Sequence, residues 1–349
     1  MRVSAERVFE LARHLTERDR EIAMVLFEQQ VLTTDQLTLL FFSSKRRAQD
    51  RLLFLYRHRV LDRFYPPAPF GLRKPQAHWL LDEAGAILVA ARLGVERKKL
   101  GWQRRDDWGS HPQLAHRLET NRFVTDLIAA TLPDPTLGVT WWAGPAKAAR
   151  CLDVHPHVSP RPDGGFELAC SAGSIECYLE WDRATETKER LRDKLRVYLQ
   201  VHEVWEYSEW PPLNLLVVVP TAARLATLEA ALAELRDVPK VARYSFFTSW
   251  GLYATTAEDL ARQGPLAPIW WPLADRGQAR ALTQLPPRSP AADPAAALGR
   301  RWRHDRPDFW PRLSPLGRKT AAESGADLRP SGIDGFMDDP EPDEEGSWR

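Results

Sequence analysis

Cysteine is scarce in this chain: its 349 residues include three, Cys151, Cys170 and Cys177, and none forms a CxxC pair. A sparse, odd set of this kind predicts buried thiols in a reducing cytoplasm rather than a disulfide framework. No stretch approaches the ~20 consecutive apolar residues that span a bilayer. The charged first segment, MRVSAERVFELARHLTERDR, contains no apolar signal region. We therefore expect a cytoplasmic protein with no membrane partner.

Several cofactor and catalytic motifs are also missing. The sequence contains no GxxxxGK[ST] phosphate loop, no GxGxxG after a predicted strand, and neither HExxH nor GxSxG. Nothing therefore indicates ATP or a dinucleotide, and we expect no nucleotide cofactor. Internal repeats are absent as well.

The formal net charge of +1 hides an uneven distribution of charged residues. Residues 43–75 contain nine Lys or Arg against two Asp, whereas residues 322–349 contain nine acidic residues against two Arg. A basic block within a foldable pattern indicates a polyanionic partner, and the acidic end predicts a solvated tail.

Residues 15–95 predict a winged helix-turn-helix domain. A helix capped by Thr16 precedes a short helix in VLTTDQLTLLFF, and Ser43 or Ser44 caps a third helix. The strands LDRFY and QAHWLL then flank a proline-rich wing. In this arrangement the third helix lies in the DNA major groove, and basic residues at its start and at the wing tip contact phosphates. The predicted DNA-binding residues are Ser44, Lys45, Arg46, Arg47, Arg51, Arg73 and Lys74. The alternative is a helical bundle with a solvated basic face.

After a polar linker at 96–110, residues 111–275 alternate between helical and strand patterns. The order is helix, strand, strand pair, helix, strand, helix, strand, and LNLLVVV is apolar on both faces, as a buried strand requires. We therefore expect an α/β (α+β) domain built on a sheet of mixed direction. Residues 276–349 lack this periodicity, so they predict a mostly disordered tail that is acidic at its end.

Acidic residues gather around a predicted hairpin, FELAC followed by SIECYLEWD, in this domain. Strict alternation in its second strand puts Tyr178, Glu180 and Asp182 on one face. Asp163 precedes the first strand and lies at the same end of the hairpin.

The turn decides how these acids pair. A two-residue turn at 172–173 would place Asp163 opposite Asp182 and diagonal to Glu180. A bulge at 164–165 would change that register. Converging carboxylates suit Mg²⁺ or Mn²⁺, which polarise a phosphodiester and lower the pKa of a bound water.

The competing interpretation is a charged sheet edge that positions the next helix. Glu180 and Asp182 would then pair with Arg183, with Lys188 or with the helix cap near Thr185. Spacing alone does not decide between a site and a scaffold.

Two further groups of residues are candidates for chemistry. His155 and His157 in VHPHV resemble the His-hydrophobe-His metal pair of rolling-circle nucleases and relaxases, but Pro156 favours two loop histidines. A relaxase also needs a tyrosine nucleophile. Tyr178 and Tyr198 are the candidates, and both positions are also compatible with a core, Tyr198 most clearly because it falls in an apolar helical stripe.

The whole order resembles the replication-relaxation family of plasmids and integrative elements. A winged helix precedes PDG, a hairpin ending ExDRxTE, and a helix with KLxxY, over about residues 15–275. The matched positions are Pro162, Asp163, Glu180, Asp182, Arg183, Thr185, Glu186, Lys194, Leu195 and Tyr198. The resemblance implies DNA binding in the replication or relaxation of mobile DNA. It also implies a second domain like the restriction-endonuclease fold, with a PD-(D/E)xK site.

In that nuclease-like site, Asp163, Glu180 and Asp182 would hold Mg or Mn. The nuclease pattern places a lysine two residues after the glutamate, where this chain has Asp182. The resemblance therefore assigns the lysine's role to the following helix, to Lys194 or less plausibly to Lys188. The expected catalytic residues are Asp163, Glu180, Asp182 and Lys194.

Two functions follow from these patterns. In the first, a mobile-element protein binds double-stranded DNA and nicks it with a divalent metal. In the second, the protein is a non-catalytic, sequence-specific regulator or a replication accessory factor. In both, the expected partners are duplex DNA and other replication or mobilisation proteins.

Overall fold

The structure is a computed structural model. It describes residues 5–66, 75–103, 111–152, 158–206, 214–236, 251–273, 277–287 and 289–290. Several predictions fall outside these ranges: the wing tip with Arg73 and Lys74, the pair His155 and His157, the last strand of the predicted order (YSFFTSW, residues 244–250) and the acidic tail. Within the ranges, helices combine with a three-stranded and a seven-stranded sheet, which confirms the predicted mixed fold class. None of the helices in the described ranges has the length and apolar character that a bilayer span requires.

Side chains cap four helices of the N-terminal unit, with Thr16 at its predicted place and Ser44 as one of the two residues predicted to cap its helix. The Thr16 hydroxyl accepts a hydrogen bond from the Asp19 backbone, and the Asp19 carboxylate accepts one from the Thr16 backbone. Ser44 accepts from the Arg47 backbone. Such caps satisfy N–H groups that have no partner within the helix. The helices are α1 (Ala5–Ala12), α2 (Glu17–Gln29), α3 (Thr34–Phe41), α4 (Lys45–Arg57) and α5 (Glu83–Leu93).

A small antiparallel sheet completes this unit. Its strands are β1 (Leu32–Thr33), β2 (Leu61–Phe64) and β3 (His78–Leu81), and β3 lies between the other two. Helix α4 turns Ala48, Leu52 and Leu55 inward, where all three are buried, as its apolar spacing predicts. The opposite face of α4 is thereby left toward solvent.

The second unit is built around the larger sheet. Strands β4 to β9 lie in chain order across it, and β10 pairs with the start of β6. The β4, β5 and β6 strands are antiparallel, whereas β6, β7 and β8 are parallel, so the predicted mixed direction is confirmed. The elements are α6 (Leu114–Thr131), β4 (Gly138–Ala143), α7 (Pro145–Cys151), β5 (Gly164–Cys170), β6 (Gly173–Trp181), α8 (Lys188–Glu206), β7 (Asn214–Val219), α9 (Ala222–Arg236), β8 (Gly251–Thr256), α10 (Ala257–Gln263), β9 (Trp271–Pro272) and β10 (Ser289–Pro290).

The sheet separates two apolar clusters. Alternate residues of β6, Ile175, Cys177 and Leu179, pack on the side of α6, while Tyr178 packs on the side of α8 and α9. Strand β7 is buried on both faces, as its unbroken apolar run predicts. The face that carries Tyr178 also carries Glu180, so this acidic side chain lies beneath α8.

The two units share one continuous apolar cluster and are joined by buried hydrogen bonds. The Asn121 side chain on α6 donates to the carbonyl oxygens of Gln29 and Val31, at 3.1 and 2.7 Å. The Gly144 backbone donates to Glu28 at 3.0 Å. Residues 96–110 were predicted to be a polar linker. In the described part of this segment, residues 97–100 form a helical turn, and Leu100 is buried.

Candidate functional site

The β5–β6 hairpin pairs in a different register from the predicted one. Gly164 pairs with Leu179 and Cys170 with Gly173, so the turn lies at 171–172 rather than at 172–173. Gly173, the first residue after the turn, has φ 126°, an angle that residues with a Cβ atom rarely adopt. The alternative of a bulge at 164–165 is not realised either, because the pairing from Gly164 to Cys170 is regular. Asp163 therefore lies next to Glu180, and the predicted alignment of Asp163 with Asp182 is wrong.

Asp163 is held at the sheet edge through both carboxylate oxygens and its backbone. The Trp181 N–H donates to Oδ2 at 2.8 Å, and Oδ1 lies 2.6 Å from His116 Nε2 on α6. Arg117 donates to the Asp163 carbonyl oxygen at 2.9 Å. Burial alone would raise the pKa of Asp163, but the His116 contact and nearby positive charge outweigh burial and lower it.

Glu180 is buried beneath α8, with 4% of its surface exposed. Its Oε2 lies 2.5 Å from the Lys194 ammonium nitrogen, and its Oε1 accepts a hydrogen bond from the Tyr198 hydroxyl. Burial raises the pKa of Glu180, and the Lys194 ammonium opposes that rise because it stabilises the charged carboxylate. Burial would lower the pKa of Lys194, but Glu180 and Asp163 raise it above its usual value. Lys194, which was predicted to supply the lysine of the site, thus places its ammonium group against Glu180.

Asp182 pairs elsewhere. Its Oδ1 accepts from the Ala184 backbone at 2.8 Å, and its carboxylate receives two hydrogen bonds from the Arg224 guanidinium on α9. The Asp182 backbone continues the sheet by donating to Val218. Asp182 therefore closes the turn after β6 and ties it to α9, which is the scaffold role that the sequence left open.

The three acidic side chains are held by protein groups. Both oxygens of Asp163, Glu180 and Asp182 are engaged by the groups described above. Among the residues that the structure describes, no three Asp, Glu, His or Cys side chains are arranged to hold one ion. A cavity of about 20 Å³ adjoins Glu180 and Lys194, which is room for about one water molecule.

The two candidate tyrosines are core residues. Tyr178 and Tyr198 are each 1% exposed, and Tyr178 donates to Glu176 at 2.6 Å. Burial and the neighbouring Glu180 raise the pKa of Tyr198 well above its usual value, so its hydroxyl is a poor source of a phenolate. The apolar stripe of α8 is confirmed: Leu191, Leu195, Tyr198 and Leu199 all lie in the same cluster.

The first turn of α4 presents the predicted basic surface. Ser44, Lys45, Arg46 and Arg47 are all exposed. Lys45 forms an exposed ion pair with Asp35 at 2.6 Å, and Arg47 donates to the Ser43 hydroxyl. Arg46 has no ion-pair partner among the described side chains. This turn therefore offers cationic groups that are either unpaired or held only by contacts accessible to water.

Arg51, also predicted to bind DNA, differs from these residues. Its Nε and Nη2 donate to Asp19 at 2.9 and 2.5 Å, and the Asp19 side chain is fully buried. Its guanidinium lies over the Phe54 ring at 4.4 Å. Arg51 thus connects α4 to α2, and its charge is neutralised within the unit.

Sequence reasoning missed a second basic and aromatic cluster beside α4. The Arg63 guanidinium lies 4.7 Å from the ring centroid of Tyr56 and 5.6 Å from that of Tyr65. These tyrosines are 37% and 54% exposed, so both rings are accessible to solvent. The density of Arg and Tyr in YRHRVLDRFY was the available signal. His116 and Arg224 were also missed, because each lies more than 40 residues from its acidic partner along the chain.

Comparison with known proteins adds one match. The model of a family described as replication-relaxation matches residues 24–219, which is more than half of the chain. The matched range includes α4 and extends through β7, so it contains both the basic turn and the Asp163–Glu180–Lys194 group. No curated protein and no solved structure matches the chain.

Proposed function

Because the chain belongs to the replication-relaxation family, we propose that it is a DNA-binding protein whose N-terminal unit docks on duplex DNA. Membership supports a function connected with replication or with mobile elements. In the proposal, α3, α4 and the strands β2 and β3 act as a winged helix, with α4 as the recognition helix in the major groove. The protein acts in the cytoplasm together with other replication or mobilisation proteins.

The observation that carries this proposal is the exposed basic first turn of α4. Residues near the start of a recognition helix face base edges and flanking phosphates. Lys45, Arg46 and Arg47 lie there on a helix whose other face is buried in the unit. A solvated basic face on an ordinary bundle would explain the exposure, but it gives no reason for the basic residues to gather in the first turn of α4, where a recognition helix contacts DNA.

For the second unit, the side-chain geometry favours the non-catalytic function over DNA nicking. A metal-dependent nuclease needs carboxylate oxygens that are open to the ion and to the phosphodiester. Here His116, Lys194 and Arg224 take those oxygens. We therefore propose that this unit supports the DNA-binding unit and partner proteins.

Charge reversal tests the binding surface. The variant Arg46→Glu/Arg47→Glu should weaken duplex binding, and the slope of log K against log salt should become shallower by about 2, near 0.9 for each lost phosphate contact. The matched control is Arg190→Glu/Arg262→Glu, which makes the same charge change at exposed positions of the second unit. Fluorescence anisotropy over a salt series measures both. Equal binding by the two variants would exclude α4 as the reader.

Nicking is tested separately on supercoiled plasmid with Mg²⁺ or Mn²⁺. We expect the protein to bind the plasmid in a salt-sensitive manner without converting the supercoiled DNA to the open-circular form. Conversion that disappears in Glu180→Ala would instead establish the enzymatic function.

A further inference from the structure

We propose that Lys194 occupies the cation position of the Asp163–Glu180 acid pair, so that the chain itself supplies a positive charge at that position. The pair then takes up a divalent ion only when the ammonium is removed. This inference concerns the second unit alone and does not depend on DNA binding by α4.

The contact between Lys194 and Glu180 is that of a counter-ion. The ammonium nitrogen lies 2.5 Å from Glu180 Oε2, and the Glu180 side chain is 5% exposed. A buried carboxylate needs a charged partner, since removal from water costs several kcal/mol. Among the described side chains, Lys194 is the cation that contacts Glu180.

The charge of the ammonium also reaches Asp163. Lys194 acts electrostatically on both Asp163 and Glu180, and each carboxylate in turn stabilises the charged form of Lys194. One positive group thus serves two acids at adjacent places of the hairpin. A divalent ion bound by the same two acids would meet the same pair of negative charges.

Attachment to the chain favours Lys194 over an ion from solution. The lysine is carried by α8, whose Leu191 and Leu195 are packed in the core, so the base of the side chain is held close to Glu180. A tethered group has a high effective concentration at its partner and competes well against a solute. The side chain is still 38% exposed, which leaves a route by which an ion could enter if the ammonium were absent.

A lysine that assists a nuclease would be arranged differently. Such a lysine stands beside a metal ion and acts on the attacking water, while the carboxylate oxygens bind the metal. In this chain the second oxygen of Glu180 accepts from Tyr198, and the oxygens of Asp163 contact Trp181 and His116. The ammonium therefore replaces the ion instead of assisting it.

Mn²⁺ titration of the full chain tests the inference, after removal of bound metal with a chelator. Electron paramagnetic resonance counts bound Mn²⁺, and thermal unfolding with and without Mn²⁺ reports whether binding stabilises the fold. The variants are Lys194→Met, Lys194→Met/Glu180→Gln and the control Lys188→Met. Lys188 lies on the same helix but pairs with the surface residue Glu234.

The wild type and Lys188→Met should bind no Mn²⁺ at the acid pair. Lys194→Met should bind Mn²⁺ at least about tenfold more tightly than the weakest affinity that the titration detects, because a unit positive charge beside the ion is removed. Adding Glu180→Gln to Lys194→Met should abolish the gain. If Lys194→Met folds only when Mn²⁺ is present, that also supports the inference.

Three results would overturn it. The first is Mn²⁺ binding by the wild type that Glu180→Gln removes, since the ammonium would then coexist with the ion. The second is a folded Lys194→Met that gains no Mn²⁺. The third is failure of both Lys194→Met and the more conservative Lys194→Gln to fold in either the presence or the absence of Mn²⁺, since the ion could then not stand in for the ammonium.

Discussion

Arg51 joins α4 to the start of α2: its Nε donates to Asp19 Oδ1 at 2.9 Å, and its Nη2 donates to the His14 carbonyl oxygen at 3.0 Å. Asp19 also belongs to the capping box of α2, so one buried carboxylate serves two helices. Burial alone would raise the pKa of Asp19, but the hydrogen bonds from Arg51 and Thr16 outweigh burial and lower it.

Removal of this contact should destabilise the N-terminal unit. We expect Arg51→Ala to lower the free energy of unfolding by about 3 kcal/mol, because Asp19 is left as a buried, uncompensated charge. The control Arg46→Ala should change it by less than about 0.5 kcal/mol, as is usual at exposed positions. Urea denaturation measures both. Equal stability of the two variants would show that Arg51 is not a structural residue.

The Tyr198 hydroxyl should contribute to stability through Glu180. Tyr198→Phe removes the donor and leaves Glu180 Oε1 buried without it, which costs about 1–3 kcal/mol. Tyr56→Phe removes a hydroxyl from an exposed tyrosine and should be nearly neutral. Thermal or urea unfolding of the two variants gives the comparison. A loss no larger than that of Tyr56→Phe would contradict the assigned hydrogen bond.

Gly144 should be required for the contact between the two units. A Cβ atom at this position would lie 2.2 Å from the Glu28 carbonyl oxygen, so the backbones must separate to admit it. We expect Gly144→Ala to lower the free energy of unfolding by about 1–3 kcal/mol, in the range of overpacking. Ala146→Ser, at an exposed position of α7, is the control. Limited proteolysis should cut Gly144→Ala faster than this control, and equal cleavage rates would argue against a tight interface.

Glu21 should make stability fall as pH rises. Burial raises the pKa of Glu21 to about 7, with Arg92 opposing the rise. A carboxyl whose folded pKa lies above its unfolded value of about 4.5 stabilises the fold fully below that value. The contribution is lost as pH rises toward 7 and amounts to roughly 3 kcal/mol at most.

The variant Glu21→Gln should reduce the fall in stability between about pH 4.5 and 7, and the fall that remains comes from Glu180 and Glu28, whose pKa values burial also raises. Asp19 and Asp163, whose pKa values are lowered, act in the opposite sense at more acidic pH and leave this window undisturbed. Urea unfolding at a series of pH values gives the profile. Parallel wild-type and variant curves through the window would refute the assignment to Glu21.

Many secondary-structure elements could be predicted from short stretches of the sequence. The capping residues Thr16 and Ser44, the alternation of β6 and the apolar run of β7 each depend on neighbours along the chain, and the structure confirms all of them. Long-range partners could not be predicted in this way. Arg51 was predicted to bind DNA together with Arg46 because both are basic and close in sequence. Its hydrogen-bond partner, the buried Asp19, lies 32 positions away along the chain.

The candidate site shows the same division. Alternation correctly placed Glu180 with Tyr178 on one face, and the helix after the hairpin does bring Lys194 to Glu180. The pairing of Asp163 depended on which residue began the turn, and a one-residue error there moved its partner by two positions. Arg224, which holds Asp182, comes from α9, and no local pattern pointed to it.

The buried hydrogen bonds of Asn121 and Gly144 join the N-terminal unit to the second unit. We therefore expect α4 to keep a fixed orientation relative to the large sheet. If α4 binds in the major groove of a duplex, the position of the site along the DNA helix then determines the direction in which the second unit projects from the DNA axis. Two molecules on neighbouring sites would face the same way when the sites are separated by whole turns of 10–10.5 base pairs, and opposite ways at an added half turn of about 5 base pairs. Any assembly that the second units form on DNA would therefore depend periodically on site spacing.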